Sequence, residues 1–208
     1  MNYLAHLYLS ENDPESLIGS LMGDFLKGRV GTDLAPAVRR GVLVHRRIDS
    51  FTDAHMIVGQ SKRRIGPAYR RYAGILIDLF YDHFLASRWS EYSAVPLEAF
   101  AARVYRIVAA HHHRLSAPMQ RSMSYMISNE LLQSYRTLEG MQQALRGIES
   151  RLKRPSRLHA AVTELERNYT GLGEDFAVFF PDLVRFASDQ HQAMDGHPPH
   201  PVTEQGRR

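Results

Sequence analysis

The chain contains no cysteine, which excludes disulfides, thiolate metal sites and a cysteine nucleophile. It has a single tryptophan. No apolar run reaches the roughly 20 residues needed to span a bilayer. The opening Met1-Asn2-Tyr3-Leu4-Ala5-His6 lacks the basic and apolar halves of a secretory signal. Glycine-rich phosphate loops are absent, internal repeats are absent, and no segment alternates apolar and polar residues as a strand would. Redox chemistry through thiols and nucleotide binding through a phosphate loop are thereby set aside. The expected location is the cytoplasm.

What is present is an ordinary globular balance. Of 208 residues, 44% are hydrophobic and 23% charged, enough to bury a sizeable core. Formal net charge is +4 and the isoelectric point about 9.5, which favours an acidic partner. The positive charge is concentrated: Arg39-Arg40, Arg46-Arg47, Lys62-Arg63-Arg64 and Arg70-Arg71 fall within one short part of the chain. Any one of these pairs would be an ordinary solvated helix face. Together they read as a docking surface.

Apolar residues recur at helical spacing almost throughout, so the expected fold is all-α, one helical bundle over residues 1–192. Tyr3 to Leu9 is too short to classify. Asp13-Pro14-Glu15 starts a helix, with Asp as cap and Pro at the first position. That helix is expected to run to the Lys27-Gly28 stop. Further helices are predicted over 37–51, 55–65, 68–89, 96–113, 117–136, 138–152, 158–169 and 175–192. Arg154-Pro155 separates two of them, and Pro181 breaks or kinks the last. Residues 193–208 have no periodicity and read as a disordered tail.

Three places bring carboxylates and imidazoles together. In Gly41 to Asp53, His45 and Asp49 lie one helical turn apart and so share a face. Asp53 follows one turn later, but equally caps the next helix. Asp24 lies between apolar pairs, where a carboxylate needs a partner or a cation. Asp78 and Asp82 are one turn apart in the most apolar helix, 68–89, with His83 next. Two buried carboxylates at that spacing repel unless a cation lies between them. The triplet His111-His112-His113 ends a helix, where cations are favoured by the dipole, and reads as capping. The methionines Met119, Met123 and Met126 read as adaptable core. Oxygen and imidazole donors without thiolate suit Mn²⁺, Mg²⁺, Fe²⁺ or Zn²⁺. Composition and spacing lead to a helical metallohydrolase acting on phosphoesters.

The opening M-N-Y-L-A-H-L-Y-L, the run Gly19 to Gly28, the H-R-R-I-D-x-x-T-D run from His45 to Asp53, and D-x-x-x-D-H-F-L-x-x-x-W from Asp78 to Trp89 together resemble the acyl carrier protein phosphodiesterases. The resemblance reaches about residue 190 and is strongest in the first half. It implies an HD-like, metal-dependent enzyme of the bacterial cytoplasm. Such an enzyme hydrolyses the phosphodiester joining 4′-phosphopantetheine to the serine of holo acyl carrier protein. The usual His-Asp doublet is missing, and Asp82-His83 has the reverse order. By resemblance the cofactor is Mn²⁺, with Mg²⁺ or Fe²⁺ as substitutes. The implied metal ligands are Asp24, His45, Asp78 and Asp82. Catalytic roles fall to His45, Asp49 and His83, and His6 belongs to the opening motif. The carrier protein is strongly acidic, so Arg39, Arg40, Arg46, Arg47, Arg63 and Arg64 are the expected docking residues. No nucleic acid or membrane partner is expected. Two alternatives stay open: an HD-like nucleotide phosphohydrolase, and a non-catalytic helical adaptor for an acidic partner.

Overall fold

The computed structural model describes residues 1–152 and 156–194. All regular structure among them is helical, as the periodicity requires. The Arg154-Pro155 break and positions 195–208 of the expected tail lie outside the described residues. No helix described is long and apolar enough to cross a membrane.

The first 54 residues build one side of the site. Helix α1 (Tyr3–Tyr8) has only six residues, too few to persist alone. It is held because Tyr3, Leu4, Ala5, His6 and Leu7 are all buried, and because Asp82 accepts hydrogen bonds from the amides of Leu4 (2.7 Å) and Ala5 (3.1 Å). Those amides are unpaired donors of the helix start. Helix α2 (Pro14–Met22) begins as expected, with Asp13 accepting from the Ser16 amide at 2.8 Å. It stops at Met22, short of the predicted Gly28, and the chain turns through Asp24. Helix α3 (Pro36–Ala54) carries His45 and Asp49.

Glycines let α2 and α3 approach. A Cβ at Gly19 would lie 2.1 Å from the Val38 carbonyl oxygen, and one at Gly41 2.3 Å from that of Ser16. A Cβ at Gly23 would lie 2.2 Å from the His45 ring. The first two allow backbone contact, and the third leaves room for a site imidazole.

Helix α4 (Met56–Arg64) is capped by His55, whose Nδ1 accepts from the Ile57 amide, and not by Asp53. Asp53 is exposed and paired with Lys62 at 2.8 Å. The long helix predicted over 68–89 is divided: a 3₁₀ turn over Pro67–Tyr72, then α5 (Ala73–Ser87), then α6 (Trp89–Tyr92). Helix α5 is the central buried element, as its composition predicts. Leu76, Ile77, Leu79, Phe80, Tyr81, Phe84 and Leu85 are fully buried.

The remaining helices pack around it. They are α7 (Leu97–His111), α8 (Ala117–Ser128), α9 (Leu131–Ser134), α10 (Leu138–Glu149), α11 (Val162–Arg167) and α12 (Tyr169–Met194). The predicted 117–136 helix is interrupted because Glu130 adopts a left-handed φ of 46°, incompatible with a continuous α-helix. The predicted 158–169 helix is likewise a 3₁₀ turn followed by α11. Helix α12 starts six residues before the expected position and runs through Pro181. Proline's fixed φ is helical, so the helix loses one hydrogen bond there without having to end. Met119, Met123 and Met126 are core, as read from the sequence. One contiguous hydrophobic cluster joins residues from Met1 to Ala187.

Candidate active site

Helix α1 presents His6 and α3 presents His45 so that their rings stack, 3.8 Å between centroids and 20° between planes. Asp49, one turn along α3, binds both: Oδ1 lies 3.0 Å from His6 Nε2 and Oδ2 lies 3.1 Å from His45 Nε2. Asp24, on the turn after α2, approaches His45 Nε2 to 3.4 Å. The rings are buried, 2% exposed each, while the side chains of Asp24 and Asp49 are 46% and 42% exposed. The carboxylates therefore form an open edge and the imidazoles a buried wall.

Two stacked imidazolium ions would repel, and the surroundings separate their ionisation. Burial, and then the charge of His45, push His6 down to about 4. Burial also opposes charge on His45, but hydrogen bonds from it to Asp24 and Asp49 outweigh this and raise it to about 9. Burial alone would raise Asp49, yet the two histidines hold it far below the usual carboxylate range. Near neutral pH the site holds one neutral imidazole, one imidazolium and a carboxylate between them. Neither His6 Nδ1 nor His45 Nδ1 has a hydrogen-bond partner, although both are buried.

One donor atom from each of His6, His45 and Asp49 lies within 4.8 Å of the others. That convergence of two nitrogens and an oxygen fits a divalent cation, and Asp24 stands beside it as a further oxygen donor. Asp78 reaches this grouping indirectly. Its Oδ1 pairs with the buried Met1 ammonium at 3.0 Å, and the same ammonium lies 3.8 Å from Asp49.

The set expected from the sequence is therefore only partly assembled. His45, Asp49 and Asp24 come together. Asp82 is turned to the α1 amides, and the repulsion foreseen between Asp78 and Asp82 is relieved by the Met1 ammonium and those amides. Burial pushes the Asp82 carboxyl up to about 7, against the pull of the Leu4 amide and the Met1 ammonium. His83 faces elsewhere: Nδ1 lies 2.8 Å from the Tyr135 carbonyl oxygen and Nε2 3.0 Å from the Tyr169 hydroxyl. His111 binds the Ile107 carbonyl, consistent with capping. His6, placed by its motif alone, proves central to the geometry. Gly23 was not singled out, and its signal was visible only as a glycine beside Asp24.

The arginines divide by task. Arg46 donates to the carbonyls of Leu26 (2.7 Å) and Gly28 (2.6 Å), fixing the segment that follows Asp24. Arg64 is bound by Asp175 through two hydrogen bonds. Arg47 is exposed and donates to Gln190. Arg40 lies 3.3 Å from Glu11. Arg39, Arg40 and Arg47 line one depression at the start of α3, and Arg63 is exposed on α4.

Comparison with known proteins gives the family. The family model for acyl carrier protein phosphodiesterase matches residues 1–183. A protein of that name from Serratia proteamaculans is 32% identical over 91% of this chain and 99% of its own. One from Salmonella dublin is 33% identical, over 90% and 98%. One from Yersinia pestis is 31% identical, over 93% and 100%. No solved structure matches. With a family model over most of its length and relatives aligned nearly end to end, the chain belongs to the acyl carrier protein phosphodiesterase family.

Proposed function

We propose that the chain hydrolyses the phosphodiester linking 4′-phosphopantetheine to the serine of holo acyl carrier protein, releasing apo carrier protein and 4′-phosphopantetheine. The observation that carries this reading is the convergence of His6, His45 and Asp49 at an edge opened by Asp24 and Asp49, in a chain of this family. Residues 1–192 form the catalytic unit, of HD-like type, and the setting is the bacterial cytoplasm.

His6 Nε2, His45 Nε2 and an Asp49 oxygen would hold a divalent cation, Mn²⁺ first among those the donors suit. Such a cation screens phosphate charge and acidifies water. Asp24, ionised and half exposed, receives the proton of the water that attacks phosphorus. The P–O bond to the carrier serine breaks, and the serine oxygen takes from Asp24 the proton that the water gave up. Asp78 keeps the Met1 ammonium against Asp49, adding positive charge where the phosphate settles. Asp82 acts as a positioning residue by fixing the start of α1 and with it His6, and His83 stays with its structural partners Tyr135 and Tyr169. Arg39, Arg40, Arg47 and Arg63 meet the acidic carrier protein, so encounter weakens as salt rises. Arg46 holds the Asp24 segment, and Arg64 belongs to the Asp175 network.

Mass spectrometry tests this reading directly. Holo carrier protein incubated with the enzyme and Mn²⁺ loses the mass of its arm, and chelator abolishes the loss. Hydrolysis of nucleotides with no loss of the arm would replace this reading with the nucleotide phosphohydrolase. Intact arm and intact nucleotides with a cation verified at His6 and His45 would end the hydrolase reading.

A further inference from the structure

A cavity of about 410 Å³ lies between α8, α10 and the chain segments that carry the site. Its volume falls within the range of roughly 300–1,000 Å³ usual for small-molecule sites. Two short stretches connect it to the site. Asn2 and Tyr3 line it, and they directly follow Met1, whose ammonium contacts Asp78 and Asp49. Phe25 lines it, and it directly follows Asp24. The residues that line the cavity and the residues that build the site are thus neighbours in sequence at two separate places.

The lining indicates what the chamber takes. Phe25, Leu131, Ala144 and Ile148 supply apolar wall. Polar side chains stand among them, Asn2, Ser122 and three tyrosines, and two carry charge, Arg121 and Arg151. The Tyr135 hydroxyl accepts from Asn2 at 3.3 Å, and the Tyr3 phenol stands under the influence of Asp24 and Arg151. At the rim, Arg151 donates to Ser122 and to the Gly147 carbonyl. Among the described residues no carboxylate lines the cavity. A ligand that matches is mostly apolar, punctuated by hydrogen-bonding groups and free of positive charge. The pantetheine arm has this character: a branched dimethyl segment with one hydroxyl, then two amides. A bare hydrocarbon would make no use of the hydroxyl, amide and guanidinium groups in the lining. A charged nucleoside phosphate would bring no advantage to the Phe25–Ile148 wall.

Resting on the function proposed above, we propose that this cavity seats the pantetheine part of the substrate, with the phosphodiester held at its inner end beside His6, His45 and Asp49. The carrier protein then needs only to present its serine, and the arm supplies both register and binding.

The test uses free pantetheine, without phosphate, titrated by calorimetry into the full chain. Wild type binds it. Ser122→Trp on α8 and Ser150→Trp at the end of α10 each fill the mouth from opposite walls and weaken binding by about tenfold or more. The same variants raise KM for holo carrier protein by a similar factor. Ser150 is exposed, so its replacement leaves folding intact, checked by circular dichroism. Absence of pantetheine binding by wild type at millimolar concentration, or affinity untouched by both variants, overturns the proposal. Release of the arm from holo carrier protein alongside either result would leave the proposed function standing without this pocket. Pantetheine binding blocked by Ser122→Trp with no release of the arm would do the reverse.

Discussion

Two polar clusters in this molecule are each built around an aspartate and behave in opposite ways. Asp175, 5% exposed on α12, accepts from Ser61 at 2.6 Å, from Gln60 at 3.0 Å and from Arg64 at 2.8 and 3.2 Å. Ser61 also meets the Tyr81 hydroxyl at 2.8 Å. Every oxygen of that carboxylate is satisfied by the chain itself. At His6, His45 and Asp49 the rings stack face to face, two ring nitrogens have no partner, and the two histidines are driven apart in ionisation. A network complete within the protein stabilises the fold. In the histidine cluster the two Nδ1 atoms are buried without partners, while the Nε2 atoms and Asp49 converge at an edge where Asp24 and Asp49 are half exposed, an arrangement that a cation can enter.

The largest expected effect is on chemistry. Asp49→Asn removes the charge shared by both imidazoles and lowers turnover by about a thousandfold, with helical content retained by circular dichroism. Wild-type turnover in that variant would erase the distinction between the clusters. Next comes stability. Asp175→Ala removes the acceptor shared by Ser61, Gln60 and Arg64 and costs about 1–3 kcal/mol by denaturant titration. The folded fraction keeps its kcat, and a specific loss of kcat would place Asp175 in the reaction.

The third effect is on cation binding. His45, raised to about 9, carries a proton at neutral pH, and a cation must take the same lone pair. Binding therefore releases that proton, and apparent affinity rises with pH by up to about tenfold per unit until about 9. His6, lowered to about 4, contributes no proton over that range. Calorimetry of Mn²⁺ in buffers of different ionisation enthalpy measures the proton count, and a count of zero would remove His45 from the cation site. The smallest effect belongs to His83→Gln. It loses a bond to Tyr135 or Tyr169 and about 1 kcal/mol, while kcat changes less than about threefold. A hundredfold fall in kcat would return His83 to the catalytic group.

Much of this was legible in the chain before any coordinates. The Asp13-Pro14 start, the burial of α5 and the pairing of His45 with Asp49 on one face are local consequences of spacing and residue type. Helix ends were less legible. Glu130 is an ordinary helix residue by propensity, yet it takes a left-handed φ between α8 and α9. Pro181 was expected to disturb α12, but its φ is compatible with the helix that continues around it. Asp78 and Asp82 were read as a pair needing a cation because the start of α1 is remote in sequence. Nothing in residues 78–82 announces that Leu4, Ala5 and the Met1 ammonium will arrive there.

By itself, then, the sequence determined that the chain would be helical, that α5 would be interior, and that His45 and Asp49 would share a face, since periods of 3.6 residues need no knowledge of the fold. Tertiary structure alone decided that His6 would stack on His45, that Gly23 would leave room for that ring, and that Asp82 and His83 would turn to structural partners. Those outcomes depend on which helix meets which, through contacts between residues tens of positions apart, and burial at those contacts sets the ionisation of each group.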